Sequence, residues 1–126
     1  MPLADARPVA MIVTSDRKTA EAFYGETLGL RRLPGDDFAA VYDLAGVRMR
    51  LTEVPGHSAS PHPVLGWEVP DIRAAVEALN AKGVAMAVYP GMGQDELGIW
   101  TAPDGSAKVA FFSDPDGNGL SLTEQR

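Results

Sequence analysis

The sequence predicts an α+β fold made of two tandem βαβββ units, and three observations predict it. "VAMIVTSD" from Val9 and "VLGWEVPD" from Val64 align at an offset of 55 residues, each an alternating stretch that ends on an aspartate. "YDLAGVRMRLTEV" from Tyr42 and "SDPDGNGLSLTEQ" from Ser113 align without a gap at an offset of 71, sharing Asp43/Asp114, Gly46/Gly117 and the triplets Leu51-Thr52-Glu53 and Leu122-Thr123-Glu124. In each copy the first match is followed by apolar residues at helical spacing and then a glycine.

Taken in order, the alternation from Val9 predicts the first strand, and Asp16 is placed to cap the helix after it. Ala20, Phe23, Tyr24 and Leu28 recur at helical spacing, and Gly29 supplies the stop. A hairpin turning at Asp43-x-x-Gly46 completes the first unit, residues 9–54. The Pro- and Ser-rich "PGHSASPHP", residues 55–63, reads as a linker. The second unit, residues 64–125, repeats the plan: a strand from Val64, a cap at Asp71, a helix carrying Ile72, Ala75, Val76 and Leu79, a stop at Gly83, and a hairpin turning at Asp114-x-x-Gly117. The 16-residue difference between the offsets locates an insertion around "YPGMGQDELGIWTAPDG". Such a loop either confers ligand specificity or caps an edge.

The chain's 126 residues suit one domain's worth of core, and 45% hydrophobic with 22% charged residues is a globular composition. Without cysteine there is no disulfide framework, no thiolate nucleophile and no cysteine zinc site, which fits a cytoplasmic protein. A net charge of -6 with no clustered basic face argues against nucleic acid. Nothing resembles a signal peptide or a membrane-spanning stretch, so no membrane association is expected. "DPDGNG" matches the opening of a calcium loop, but its twelfth position is Gln125, which offers no bidentate carboxylate; the segment reads as a turn.

The strand-Asp-helix pattern with "FY" and "LGL" in the first half, and "FF" with "DPDGN" in the second, resembles the vicinal oxygen chelate superfamily: glyoxalase I, extradiol dioxygenases, fosfomycin-modifying enzymes and bleomycin-binding resistance proteins. The resemblance covers Val9 to Gln125. It implies a single domain in which the two strongly curved mixed sheets form an open barrel with helices outside, around a ligand cavity, and it implies a homodimer. It also implies a divalent ion held by a histidine early in the first strand of one or both copies and a carboxylate on the last strand. The corresponding positions here are Val9, Val64, Arg50 and Ser121. Valine has no lone pair, arginine is a cation, and a neutral serine is a poor ligand, so no metal and no cofactor is expected. His57 and His62 lie in the linker.

Alternation sends Ile12, Leu65, Trp67, Met49, Leu51, Leu120 and Leu122 toward the helices, and Val9, Met11, Val13, Gly66, Glu68, Arg48, Arg50, Thr52, Ser121 and Thr123 to the other face, the cavity face. Arg50 and Glu68 then stand on the cavity face with opposite charge. Either Arg50 binds a ligand carboxylate or phosphate while Glu68 accepts a donor or acts as general base, or the two neutralise each other. Tyr89, Met92 and Trp100 of the insertion either line the cavity mouth or fill the core. The candidate ligand-binding residues are therefore Met11, Arg50, Glu68, Tyr89, Met92, Trp100 and Ser121, with Glu68 the catalytic candidate. These point to a metal-free small-molecule-binding protein akin to the bleomycin-resistance members. The alternative is a glyoxalase- or dioxygenase-type enzyme with unconventional ligands or with Glu68 as base.

Overall fold

The computed structural model describes residues 2–125. The chain divides into two compact units, Met1–Ser58 and Ala59–Arg126, and the division falls inside the expected linker.

In the first unit β1 (Val9–Thr14) leads into α1 (Arg17–Glu21), which widens into a π-helical turn over Ala22–Thr27; β2 (Arg31–Leu33), β3 (Ala39–Leu44) and β4 (Val47–Glu53) follow. The sheet order is β1-β4-β3-β2, with β1 parallel to β4 and the remaining pairs antiparallel. In the second unit β5 (Pro63–Glu68), α2 (Ile72–Ala81), β6 (Trp100–Thr101), β7 (Ala107–Ser113) and β8 (Gly119–Gln125) repeat the plan in the order β5-β8-β7-β6.

The helix starts explain why these elements lie where they do. Asp16 and Asp71 occupy nearly identical extended conformations, φ -144° and -143°, and accept hydrogen bonds from the Thr19 and Ala74 amides. A second carboxylate joins each cap. Glu53 accepts from the Arg17 amide at 2.8 Å and Glu124 from the Ile72 amide at 2.9 Å. The Leu-Thr-Glu triplet shared by the repeats is thus a long-range cap that ties the first free amide of each helix to the last strand of its own unit. At the far end of α2, Val84 N–H bonds Leu79 C=O and Gly83 N–H bonds Asn80 C=O, both at 3.0 Å, with Gly83 at φ 85°, the left-handed closure that glycine permits.

The single α-helix expected before Gly29 is corrected: the ladder widens at Ala22, with Leu28 N–H bonded to Phe23 C=O at 2.8 Å. The buried Tyr42 supplies a physical reason, because its hydroxyl donates to the Glu21 carbonyl at 3.3 Å where the α pattern gives way.

Each helix covers one face of its sheet. Ile12, Ala20, Tyr24, Tyr42, Met49 and Leu51 form the buried core of the first unit. In the second, Ile72, Val76, Ala110, Phe112, Leu120 and Leu122 are buried, and Trp67 stacks on Phe112 with ring centroids 6.4 Å apart. The hairpin turns differ in detail. Ala45 and Gly46 form a two-residue turn with both φ positive, closed by Gly46 N–H on the Asp43 carboxylate at 2.8 Å. In the "DPDGNG" loop Asp114 is buried, and its carboxylate accepts from the Asp116 and Asn118 amides at 2.9 Å and from the Asn118 side chain at 2.7 Å. Those oxygens are engaged by the loop itself, as a turn requires. Among the described residues no helix is long and apolar enough to cross a membrane.

Candidate functional site

The face of each sheet turned away from its helix carries the sequence-predicted site residues that lie on strands: Met11, Arg50, Glu68, Trp100 and Ser121. In the first unit Met11 pairs in register with Arg50, and Val9 with Arg48. Val41 lies opposite Arg50 and Asp43 opposite Arg48, while β2 adds Leu33 opposite Val41 and Arg31 opposite Asp43. Register partners share a face, so three arginines stand here against one aspartate. Val9, Leu33, Pro34, Val41, Arg48 and Arg50 line a cavity of about 310 Å³. Apolar walls with two guanidinium forks are suited to a small molecule that has an apolar body and an anionic group. Met11 is 67% exposed beside it.

Arg50 faces a carboxylate that sequence reasoning missed. Its Nη2 lies 3.7 Å from Asp36 Oδ2, while Asp36 Oδ1 accepts from the Phe38 and Ala39 amides at 2.8 and 2.9 Å. Those two amides, aided by the Arg50 and Arg17 guanidinium groups, hold the Asp36 carboxyl below the usual carboxylate range. The loop is tight: a Cβ on Gly35 would lie 2.6 Å from the Ala39 carbonyl oxygen. Arg17 holds the same loop from the helix, donating to the Asp36 and Asp37 carbonyls at 3.0 and 3.2 Å and to Glu21 at 2.9 Å. Glu21 also takes Arg32 at 2.7 Å, and Arg32 lies over the Tyr42 ring, 5.4 Å from its centroid. Burial works against the charge on Glu21, but Arg32 and Arg17 outweigh it and its carboxyl lies below the ordinary value.

In the second unit one cross-strand row runs Glu68, Thr123, Val109, Trp100, and the next runs Gly66, Ser121, Phe111. Glu68 and Trp100 are thus three strands apart on one face, with Ser121 between them and one row away. A Cβ on Gly66 would overlap Ser121 Oγ, so the hydroxyl sits where only glycine leaves room. Tyr89 reaches this face from the insertion, edge-on to Phe111 with centroids 6.0 Å apart. Gln94 folds that insertion around itself: its carbonyl accepts from the Tyr89 amide at 2.7 Å, and its NH₂ donates to the Ala87 and Gly98 carbonyls, both at 2.9 Å. Met92 stands in the same loop, its amide on the Tyr89 carbonyl at 3.1 Å. Glu68 is exposed and, among the described residues of its own unit, has no ion-pair partner, whereas Arg50 is paired with Asp36. Phe111 could have been found from the same alternation that placed Ser121; Asp36 and Gln94 lie in loops whose geometry no periodicity reports.

A divalent ion is held best by carboxylate, imidazole or thiolate donors, and the positions that the resemblance sets against the family's ligands carry none of these. Val9 and Val64 carry hydrocarbon, Arg50 carries a positive charge already set against Asp36, and Ser121 offers a neutral hydroxyl packed on Gly66. Among the described residues no three His, Cys, Asp or Glu side chains group to hold a metal.

Solved structures share the fold. A glyoxalase family protein from Enterococcus faecalis superposes with a TM-score of 0.75 at 21% identity, covering 98% of this chain and 100% of that one. The fosfomycin resistance protein FosX from Listeria monocytogenes gives 0.76 at 12% identity, covering 98% and 96%. Lactoylglutathione lyase from Agrobacterium tumefaciens gives 0.64 at 17%, covering 95% and 93%. No curated protein matches the chain. The family model of the Glyoxalase/Bleomycin resistance protein/Dioxygenase superfamily matches residues 8–122, and the chain belongs to that superfamily.

Proposed function

We propose that this member of the superfamily is a small-molecule-binding protein that works without the family's metal, holding an anionic ligand on the open face of its first sheet. Arg48 and Arg50 would grip a carboxylate or phosphate-type group, and Val9, Val41 and Leu33 would contact its apolar body. The observation that carries the reading is Arg50 itself: a cation, with Asp36 beside it, at the position that the resemblance sets against the family's anionic metal ligand. A guanidinium there repels a divalent ion and attracts the charge such an ion would otherwise bind. The homodimer and the cytoplasmic setting belong to the same reading, the first supported by the family and the second by the absence of cysteine.

Calorimetric titration with a panel of apolar monocarboxylates and their uncharged amides tests it. Charge-assisted contacts of this kind contribute about 1.5–3 kcal/mol, so Arg50→Ala is expected to weaken carboxylate binding about tenfold to a hundredfold and to leave amide binding unchanged. Carboxylate affinity untouched by that substitution would overturn the reading. So would one divalent ion per chain in protein purified without chelator. Turnover that survives in wild type and is lost in Glu68→Gln would favour the catalytic alternative, with Glu68 as base.

A further inference from the structure

The open face of the first sheet carries counter-charges of its own, and they bear on how much charge a ligand can bring. Arg31, Arg48 and Arg50 stand on that face. Arg31 Nη1 lies 4.0 Å from Asp43 Oδ2, and Arg50 Nη2 lies 3.7 Å from Asp36 Oδ2. Arg48 lines the cavity with Arg50 and, among the described residues, has no ion-pair partner. One positive charge is therefore left unmatched where the ligand would sit. We propose, resting on the reading of this face as an anion site, that Asp36 is its specificity-determining residue: a fixed carboxylate that shares Arg50 with the ligand and restricts the site to singly charged carboxylates, against doubly charged phosphate esters.

A carboxylate acts in this way only if it cannot swing aside when a second anion arrives. Asp36 Oδ1 accepts from the Phe38 and Ala39 amides, and the Asp36 amide bonds the Ala39 carbonyl at 3.0 Å. Arg17 clamps the Asp36 and Asp37 carbonyls from the helix, and Gly35 approaches the Ala39 carbonyl too closely to carry a Cβ. Oδ1 is thus committed to the backbone, and Oδ2 is the oxygen set toward Arg50. Pro34, two residues earlier, lines the cavity, so one pinned turn supplies both an apolar wall and the charge beside it. The two amides keep the carboxyl ionised at neutral pH. Repulsion from Asp36 grows in proportion to the ligand's charge, so a factor lost by a monoanion is squared for a dianion in the same place. A second ligand charge would also leave water with no unmatched cation to meet it.

Calorimetric titration at about pH 8 with phenylacetate, with phenyl phosphate, doubly charged at that pH, and with neutral phenylacetamide tests the proposal. Wild type is expected to bind phenylacetate more tightly than phenyl phosphate. Asp36→Asn keeps an oxygen for the Phe38 and Ala39 amides and removes the charge. It should tighten phenylacetate about threefold to fivefold and phenyl phosphate about tenfold to twenty-fivefold, and leave phenylacetamide unchanged. Both gains should shrink in about 0.5 M salt, as a charge effect does and a change in loop packing does not. Phenyl phosphate bound more tightly than phenylacetate by wild type would overturn the inference. So would a phosphate-to-carboxylate affinity ratio unchanged in Asp36→Asn while Arg50→Ala still weakens phenylacetate, a result that leaves the anion site standing. Phenylacetate affinity indifferent to Arg50→Ala would remove the site, and the inference with it.

Discussion

Replacing Gly66 with alanine should destabilise the second unit, and the reason is the hydroxyl of Ser121. A methyl group at residue 66 would overlap Ser121 Oγ and come within 3.3 Å of the Ser121 carbonyl oxygen. Gly66 is not among the residues of positive φ, so alanine can take its backbone conformation. That change alone would stabilise by about 0.4–1 kcal/mol through the unfolded chain. Overpacking costs about 1–3 kcal/mol, so the net runs from about zero to a loss of about 2.6 kcal/mol, and a mid-range loss of about 1.3 kcal/mol lowers Tm by about 4–8 °C. In a Ser121→Ala background the hydroxyl is gone, and the nearest side-chain contact becomes the residue 121 Cβ at an ordinary 3.7 Å. There the same Gly66→Ala change should cost nothing measurable. Urea unfolding followed by tryptophan fluorescence is the assay, because both tryptophans, Trp67 and Trp100, belong to this unit. If Gly66→Ala costs the same in the two backgrounds to within about 0.5 kcal/mol, the hydroxyl does not occupy that space and the packing of the two site rows is misunderstood.

Two further outcomes follow from the caps and ion pairs. Asp71→Ala should cost about 1 kcal/mol and Glu124→Ala about 1–2 kcal/mol, the latter because the Ile72 amide loses its acceptor; Glu124→Gln should recover most of it, as read by urea midpoints. For Glu21, whose carboxyl is lowered in the folded state, the stabilisation is complete above about pH 4.5 and is lost as pH falls through the folded value. The stability difference between wild type and Glu21→Gln should therefore be largest near neutrality and shrink as pH falls below about 4.5 through the lowered folded value, and a difference constant from pH 7 to pH 3 would contradict the Arg17–Glu21–Arg32 arrangement.

The strands, the two Asp caps and the duplication were legible because their signals are local: alternation, a capping side chain three residues from its amide, and a glycine after the last apolar turn. The shared Leu-Thr-Glu triplets were visible as letters, but the role of their glutamates was not, because Glu53 and Glu124 act 36 and 52 residues from the amides they accept. The π-helical turn escaped for a similar reason, since Ala20, Phe23, Tyr24 and Leu28 keep helical spacing while the perturbing hydroxyl arrives from Tyr42. At the site, alternation found Met11, Arg50, Glu68 and Ser121 on the faces they occupy. It could not report that Asp36 would face Arg50 or that Gln94 would fold the insertion, because loop contacts carry no period.

The distant capping glutamates bear on the order in which the chain acquires structure. The α-helical part of α1 is only five residues long, far below the length at which a helix persists alone in water, so the segment following β1 should flicker until the hairpin ending in Glu53 docks beside it. Each unit therefore closes like a drawstring, its opening turn secured by its final strand. A fragment cut before either glutamate would keep every local helix signal and lose the knot that holds it.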